Sequence, residues 1–88
     1  GTSNPNNQVY VKVFPNPVSD LLYLDCNGIK GNVVVDIFDI TGKLITSFND
    51  NLQGRKILKT LLPGDIHGMF IYKISSKELE FTGKFVKL

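Results

Sequence analysis

The stretch from Asn32 to Lys43, N-V-V-V-D-I-F-D-I-T-G-K, alternates with a period of two. Val33, Val35 and Ile37 fall on one face of an extended strand, and Val34, Asp36 and Phe38 fall on the other. A strand with one face in a core repeats in this way, because successive side chains point to opposite sides of the pleat. The β-branched and aromatic content agrees. The run stops at Asp39-Ile40-Thr41-Gly42-Lys43, and a new apolar alternation opens at Leu44. A Gly beside Thr and after Asp supplies the positive-φ position and the side-chain acceptor that a tight turn needs. The pattern predicts a central strand, a reversal and a second strand.

The flanks repeat this patterning. Val9, Val11 and Val13 alternate with Tyr10, Lys12 and Phe14 in a first strand, which Pro15-Asn16-Pro17 ends. Each proline lacks a backbone donor and fixes φ, and the residue before a proline is pushed out of the α region. The triplet predicts a stiff crossing from one sheet to another. Leu22, Leu24 and Cys26 share one face of a second strand, and Asn27-Gly28 and Gly31-Asn32 read as turns after it. Beyond the central strand, Leu44 to Phe48 makes a fourth. Asn49-Asp50-Asn51 and Gly54 mark a loop, Lys56 to Leu62 makes a fifth strand, and Pro63-Gly64-Asp65 breaks it. Gly68 opens the sixth, with Phe70, Tyr72 and Ile74 on one face. Ser75-Ser76-Lys77 is a polar hairpin loop, and Glu78 to Leu88 is the last strand. Gly83 marks a bulge or a close approach within it. About seven short strands with turn signals between them, and no helical period, predict an all-β fold: an immunoglobulin-like antiparallel β-sandwich. A small barrel is the alternative.

Composition narrows the function more than the fold. The 88 residues suit one domain, placed over 9–88, and the 42% hydrophobic fraction argues against disorder. Residues 1–8 are polar and read as a flexible linker or a cloning remnant. They carry no basic stretch of a signal peptide, so an export signal would lie upstream. The net charge is +2, and the basic residues are scattered apart from Arg55, Lys56 and Lys59, so no nucleic-acid face is expected. No apolar run reaches the length of a membrane span. Cys26 is the only cysteine, which forbids an internal disulfide.

Candidate chemistry is sparse. His67 is the only histidine, and no second ligand nearby would complete a zinc site. Cys26 is in phase with Leu22 and Leu24 and reads as a small core residue. Asp36 with Asp39, or Asn49 with Asp50 and Asn51, lack the spacing of a calcium loop. Asp20 and Asp25 are five apart on a strand and face opposite sides, so they are no acid/base pair. The expectation is no catalytic residue, no metal and no cofactor, hence no enzyme. Tyr10, Tyr23 and Phe38, if exposed, would suit an adhesive or carbohydrate-binding module.

Four stretches together carry a resemblance. They are Val13-Phe14-Pro15-Asn16-Pro17, Val35-Asp36-Ile37-Phe38-Asp39-Ile40-Thr41-Gly42-Lys43, Gly68-Met69-Phe70-Ile71-Tyr72-Lys73-Ile74 and Gly83-Lys84-Phe85-Val86-Lys87-Leu88. In this order the chain resembles the type A C-terminal sorting domain of proteins exported by the type IX (Por) secretion system of Bacteroidetes. Two positions depart from the family pattern: Phe70 stands where Tyr is frequent, and Asp65 where Leu is.

The resemblance implies a seven-stranded sandwich at the end of a larger cargo protein, exported through the periplasm to the outer membrane surface or the medium. Its implied partners are the type IX translocon, a cell-surface sortase and the upstream cargo domain. It also implies that Pro15, Asn16, Pro17, Asp39, Gly42, Lys43 and Gly68 are family-motif residues. Lys84, Phe85, Val86, Lys87 and Leu88 form the terminal recognition motif. That last strand, with Lys84 and Lys87 on opposite faces, is expected to offer backbone groups and charge for strand addition by a partner. Pro-Asn-Pro, the Asp-x-x-Gly-Lys turn and Gly68 each also have a purely structural reading as a crossing, a turn and a backbone necessity.

Overall fold

A computed structural model describes residues 8–88. The linker expected over 1–8 lies outside them except for Gln8. The described residues form five antiparallel strands: β1 (Tyr10–Phe14), β2 (Leu21–Asp39), β3 (Leu44–Leu61), β4 (Gly68–Ser75) and β5 (Glu80–Lys87). The all-β antiparallel class is as expected, while the strand count is five and not seven. The expected segments are present, but four of them are joined in pairs. Leu22–Cys26 and Asn32–Asp39 are the two halves of β2, and Leu44–Phe48 and Lys56–Leu61 lie in β3. The turns expected at Asn27-Gly28 and Gly31-Asn32, and the loop expected over 49–54, lie inside these long strands.

The physical reason is a bulge. Leu22, Leu24 and Cys26 are buried at even positions, and Ile29, Val33, Val35 and Ile37 at odd ones. With a period of two, an unbroken strand would turn one of these sets outward. The β2–β3 register shifts between Cys26 and Ile29, which inserts the residue needed to keep both sets inward. Gly28, at φ 79°, supplies a conformation that a side chain would resist, and a Cβ there would meet Val9. The Asn-Gly signal therefore marks a bend within a strand and no reversal. A second shift, between Ile37 and Phe38, adjoins the Asp39–Lys43 turn.

β2 is the hub. It pairs with β3 along nearly its whole length. On its other side, Tyr23–Asn27 pair with β1, and Val34–Asp39 pair with β4, which carries β5. The resulting sheet curls around one cluster that includes Leu22, Leu24, Val35, Leu58, Phe70 and Phe85. Cys26 is fully buried in it, and burial pushes its thiol up to about 11, which suits a core residue and not a nucleophile. The polar hairpin loop expected at Ser75–Lys77 forms over 76–79 instead: Ser75 still pairs in β4, the last strand starts at Glu80 and not Glu78, and the Ser76 amide closes the loop on the Leu79 carbonyl.

Gly83 keeps its register with β4, so it is no bulge. It is a close approach: the Tyr72 ring lies where its Cβ would be. Gly83→Ala should therefore destabilise the fold by about 1–3 kcal/mol, the usual cost of overpacking. Urea denaturation checks this, and an unchanged midpoint would mean that the ring swings away freely.

Candidate functional site

The chain from Pro15 to Asp20 crosses between the two halves of the curled sheet. β1 ends at Phe14, and the next backbone pairing is made with β5, at the far side of β4. The Val18 amide donates to the Val86 carbonyl at 2.8 Å, and the Leu88 amide donates to the Val18 carbonyl at 2.9 Å. This is a parallel bridge on the outer edge of β5. The Asn16 side-chain carbonyl, Oδ1, accepts from the Val86 amide at 2.9 Å. Two residues further on, the Asp20 carbonyl accepts from the Leu62 amide at 2.7 Å, tying the crossing to the end of β3. Both X–Pro bonds of the triplet are cis. The Val18 side chain is fully buried in the core. Nothing in the sequence singled it out beyond one β-branched residue among turn formers.

The central turn is held by one carboxylate. Asp39 Oδ1 accepts from the Thr41 hydroxyl at 2.6 Å, the Thr41 amide at 2.9 Å and the Lys43 amide at 3.0 Å. The Gly42 amide donates to the Asp39 carbonyl, with Gly42 at φ 91°. The Thr41 hydroxyl bond and then the Lys43 amide bond hold the carboxyl of Asp39 below its ordinary range. This turn sits at the end of β2 where Asp39 pairs with Phe70, two residues into β4 from Gly68. Gly68, at φ 102°, pairs with Lys87. The four stretches that carry the resemblance, separated by up to some 70 residues, thus meet at one pole of the sheet.

Within the terminal motif the five residues part company. Lys84 and Leu88 are exposed, and Val86 is half-buried. Phe85 is a core residue, stacked on Phe70 at 5.9 Å. Lys87 is only 4% exposed, and its ammonium donates to the Leu88 carbonyl at 3.1 Å. Two parts of the expected strand-addition site are thereby corrected. Lys87 offers no charge to a partner, because its side chain lies on the inner face with Phe85. The backbone edge at Val86 and Leu88 is taken by Val18 and Asn16. Pro15, Asn16, Pro17, Gly42, Lys43 and Gly68 are exposed, and Asp39 is half-buried.

Other candidates disperse. His67 is exposed in the β3–β4 connection, and no group of acidic, cysteine or histidine side chains among the described residues could hold a metal. Tyr23 stacks on Phe14 at 5.3 Å, Tyr10 lies under the Lys12 ammonium at 4.7 Å, and Phe38 is on the other half of β2. The three aromatics form no single platform. At the other end of β4 and β5, a shallow cleft between Gly28–Asn32 and Ser76–Leu79 holds Lys30, Lys77 and Glu78 without convergent chemistry.

The family model for the secretion system C-terminal sorting domain matches residues 12–88. No curated protein matches the chain. Among solved structures, the crystal structure of dimeric latent PorU from Porphyromonas gingivalis is similar over 89% of this chain, with a TM-score of 0.64 and 22% identity. The chain spans 9% of that protein's length, and the likeness at this identity is one of fold. The chain belongs to the family of secretion system C-terminal sorting domains, whose members signal type IX sorting.

Two outcomes are expected at the pole. Asn16→Ala removes the side-chain acceptor of the Val86 amide and should cost about 1 kcal/mol, with faster hydrogen exchange at Val86 while Leu88 stays protected. Exchange at Val86 that stays unchanged would remove Asn16 from this role. The depressed Asp39 carboxyl adds stability that is full above its unfolded value of 3.8 and is lost as pH falls through its lower folded value. Asp50 is depressed likewise, by Lys56. Asp39→Asn should therefore flatten, without abolishing, the loss of stability in acid titrations followed by circular dichroism below that pH.

Proposed function

We propose, from its membership of this family, that the domain is an address by which a larger exported protein is recognised and passed through the type IX outer-membrane translocon. Interaction with the secretion machinery, and a secreted or surface destination, come with the family itself. The finer steps belong to our reading: transit through the periplasm, removal of the domain by a cell-surface sortase, and anchoring of the cargo. So does the absence of catalysis, since the activity would belong to the upstream cargo domain.

The observation that supports this reading best is the meeting of the four motifs at one pole. A packing role alone would explain Val18, Phe85 and Lys87, which are buried there. It does not explain why the same segments leave Lys43, Met69 and Lys84 exposed side by side with them. A folded address must show a shaped surface to its reader, and a pole assembled from sequence-distant segments exists only in the folded state.

The test is a transplant. The full 88-residue chain is fused behind an export signal peptide and a fluorescent protein in a bacterium with a type IX system. Fluorescence should reach the surface or the medium, and should stay in the periplasm of a strain without the translocon. Retention in the intact strain would overturn the reading. Trimming Lys84–Leu88 is a poor control, because it takes Phe85 and Lys87 out of the folded domain and would test folding instead.

A further inference from the structure

The register of the sheet places one row of side chains across four strands at this pole. Leu44 of β3 lies opposite Phe38 of β2, Phe38 opposite Ile71 of β4, and Ile71 opposite Lys84 of β5. Residues directly opposite share a face. That face is the outer one, because Ile37 and Phe70, the neighbours of Phe38 and Ile71 along their strands, are buried. Met69 stands two positions from Ile71 on the same face, opposite Val86. Leu44 and Met69 are 50% and 46% exposed. The next row, Ser47, Asp36, Lys73 and Thr82, is polar and bounds the patch.

The charges around this patch are unequal. The acids near it are engaged within the chain: Asp39 by its turn, Asp36 by the Ser47 hydroxyl, and Glu80 by Lys73 at 3.3 Å. Lys84 makes no ion pair among the described residues, and Lys43, at the turn beside Leu44, forms no salt bridge although its charge acts on Asp39. The surface is therefore apolar at its centre and cationic at its rim. The outer face of the other half lies away from the terminal strand and is less one-sided: its exposed Ile57 and Leu61 flank Lys59, which makes no ion pair among the described residues, while Arg55 is paired to Asp25 at 3.0 Å and Lys12 is held over Tyr10.

We propose that the outer face formed by Phe38, Leu44, Met69 and Ile71, with Lys43 and Lys84 at its rim, docks an acidic-rimmed apolar surface on a protein of the secretion machinery. The inference rests on the sorting reading and adds to it the surface and the chemistry of the reader. An apolar centre buries well only against an apolar partner, and the rim cations, Lys84 above all, select carboxylates opposite them. Backbone recognition plays no part at Val86 and Leu88, since Val18 and Asn16 occupy that edge. The reader sees side chains, and the fold's own crossing strand holds the terminal strand in place beneath them.

The experiment uses the fluorescent fusion with the full chain in the intact strain, carrying Met69→Glu, Lys84→Glu, Lys84→Arg or Leu61→Glu. Thermal melting of each purified fusion reports the fold. Met69→Glu and Lys84→Glu should lower the exported fluorescence roughly tenfold, the scale of a lost interface anchor, with the melting point retained. Leu61→Glu should export like the parent, and Lys84→Arg, which keeps the charge, should export more than Lys84→Glu. If Met69→Glu fails to fold, the exposed Lys84 pair decides, since a charge reversal there removes no packing. Export of the folded Met69→Glu and Lys84→Glu fusions at the parental level would overturn the proposal, as would an equal loss in Leu61→Glu. A parent fusion that is itself retained defeats the sorting reading, and this docking face falls with it.

Discussion

The period of two along a strand constrains this domain more than any other single fact. β2 runs for 19 residues, pairs with three other strands, and contributes seven fully or nearly fully buried side chains to the core. It can do so only if its inward set changes from even to odd numbers without leaving the ladder. One inserted residue near Gly28 accomplishes the change. Upstream of it, β2 holds β1, and downstream it holds β4, which carries β5, while β3 follows along the opposite side. Restoring a regular ladder there would face Val33, Val35 and Ile37 outward together. The loss of several buried aliphatic groups, each worth about 1.5–3 kcal/mol, is more than a small domain tolerates.

The same constraint explains what was legible in the sequence. Three buried sets were visible as alternations, Leu22-Leu24-Cys26, Val33-Val35-Ile37 and Phe70-Tyr72-Ile74, whereas Val18, Ile29 and Leu52, in stretches that read as turns or a loop, were not. The Asp39–Lys43 reversal was visible because its chemistry is local, a carboxylate and a glycine within five residues. Asn27-Gly28 carries the same local signal and has another outcome. Whether such a pair reverses the chain or bulges it depends on what β3 offers opposite, and that partner lies some 28 residues away. The 49–54 stretch reads as a loop for a related reason. Its Asn, Asp and Gly are poor strand formers, yet pairing to β2 holds them extended.

At the pole, legibility ended where distance began. The motif residues could be named from the sequence, and the Pro-Asn-Pro triplet could be read as a crossing between sheets. What the crossing reaches could not. Val18 has no motif of its own, and its partner Lys87 is a lysine that elementary rules place in water. Lys87 lies inside because its stem runs along the inner face and its ammonium finds the Leu88 carbonyl, a contact that alternation cannot predict. Conversely, Phe38, Met69 and Ile71 were visible as the outward members of their strands. Their alignment into one row follows from the register of four strands, which single-strand patterns do not contain.

The bridge between Val18 and β5 also bears on the order of synthesis. A ribosome delivers Val18 well before Val86 to Leu88, so the core cannot shut over Val18 while the intervening strands emerge. β1 to β3 must wait as an open sheet with one edge of the crossing unmet. Contacts of such long sequence separation form slowly, and surfaces left uncovered meanwhile are exposed to other proteins. A chain cut short before Val86 would keep its first strands and lose the clasp. Closure of this domain is thus a record that β5 has been made.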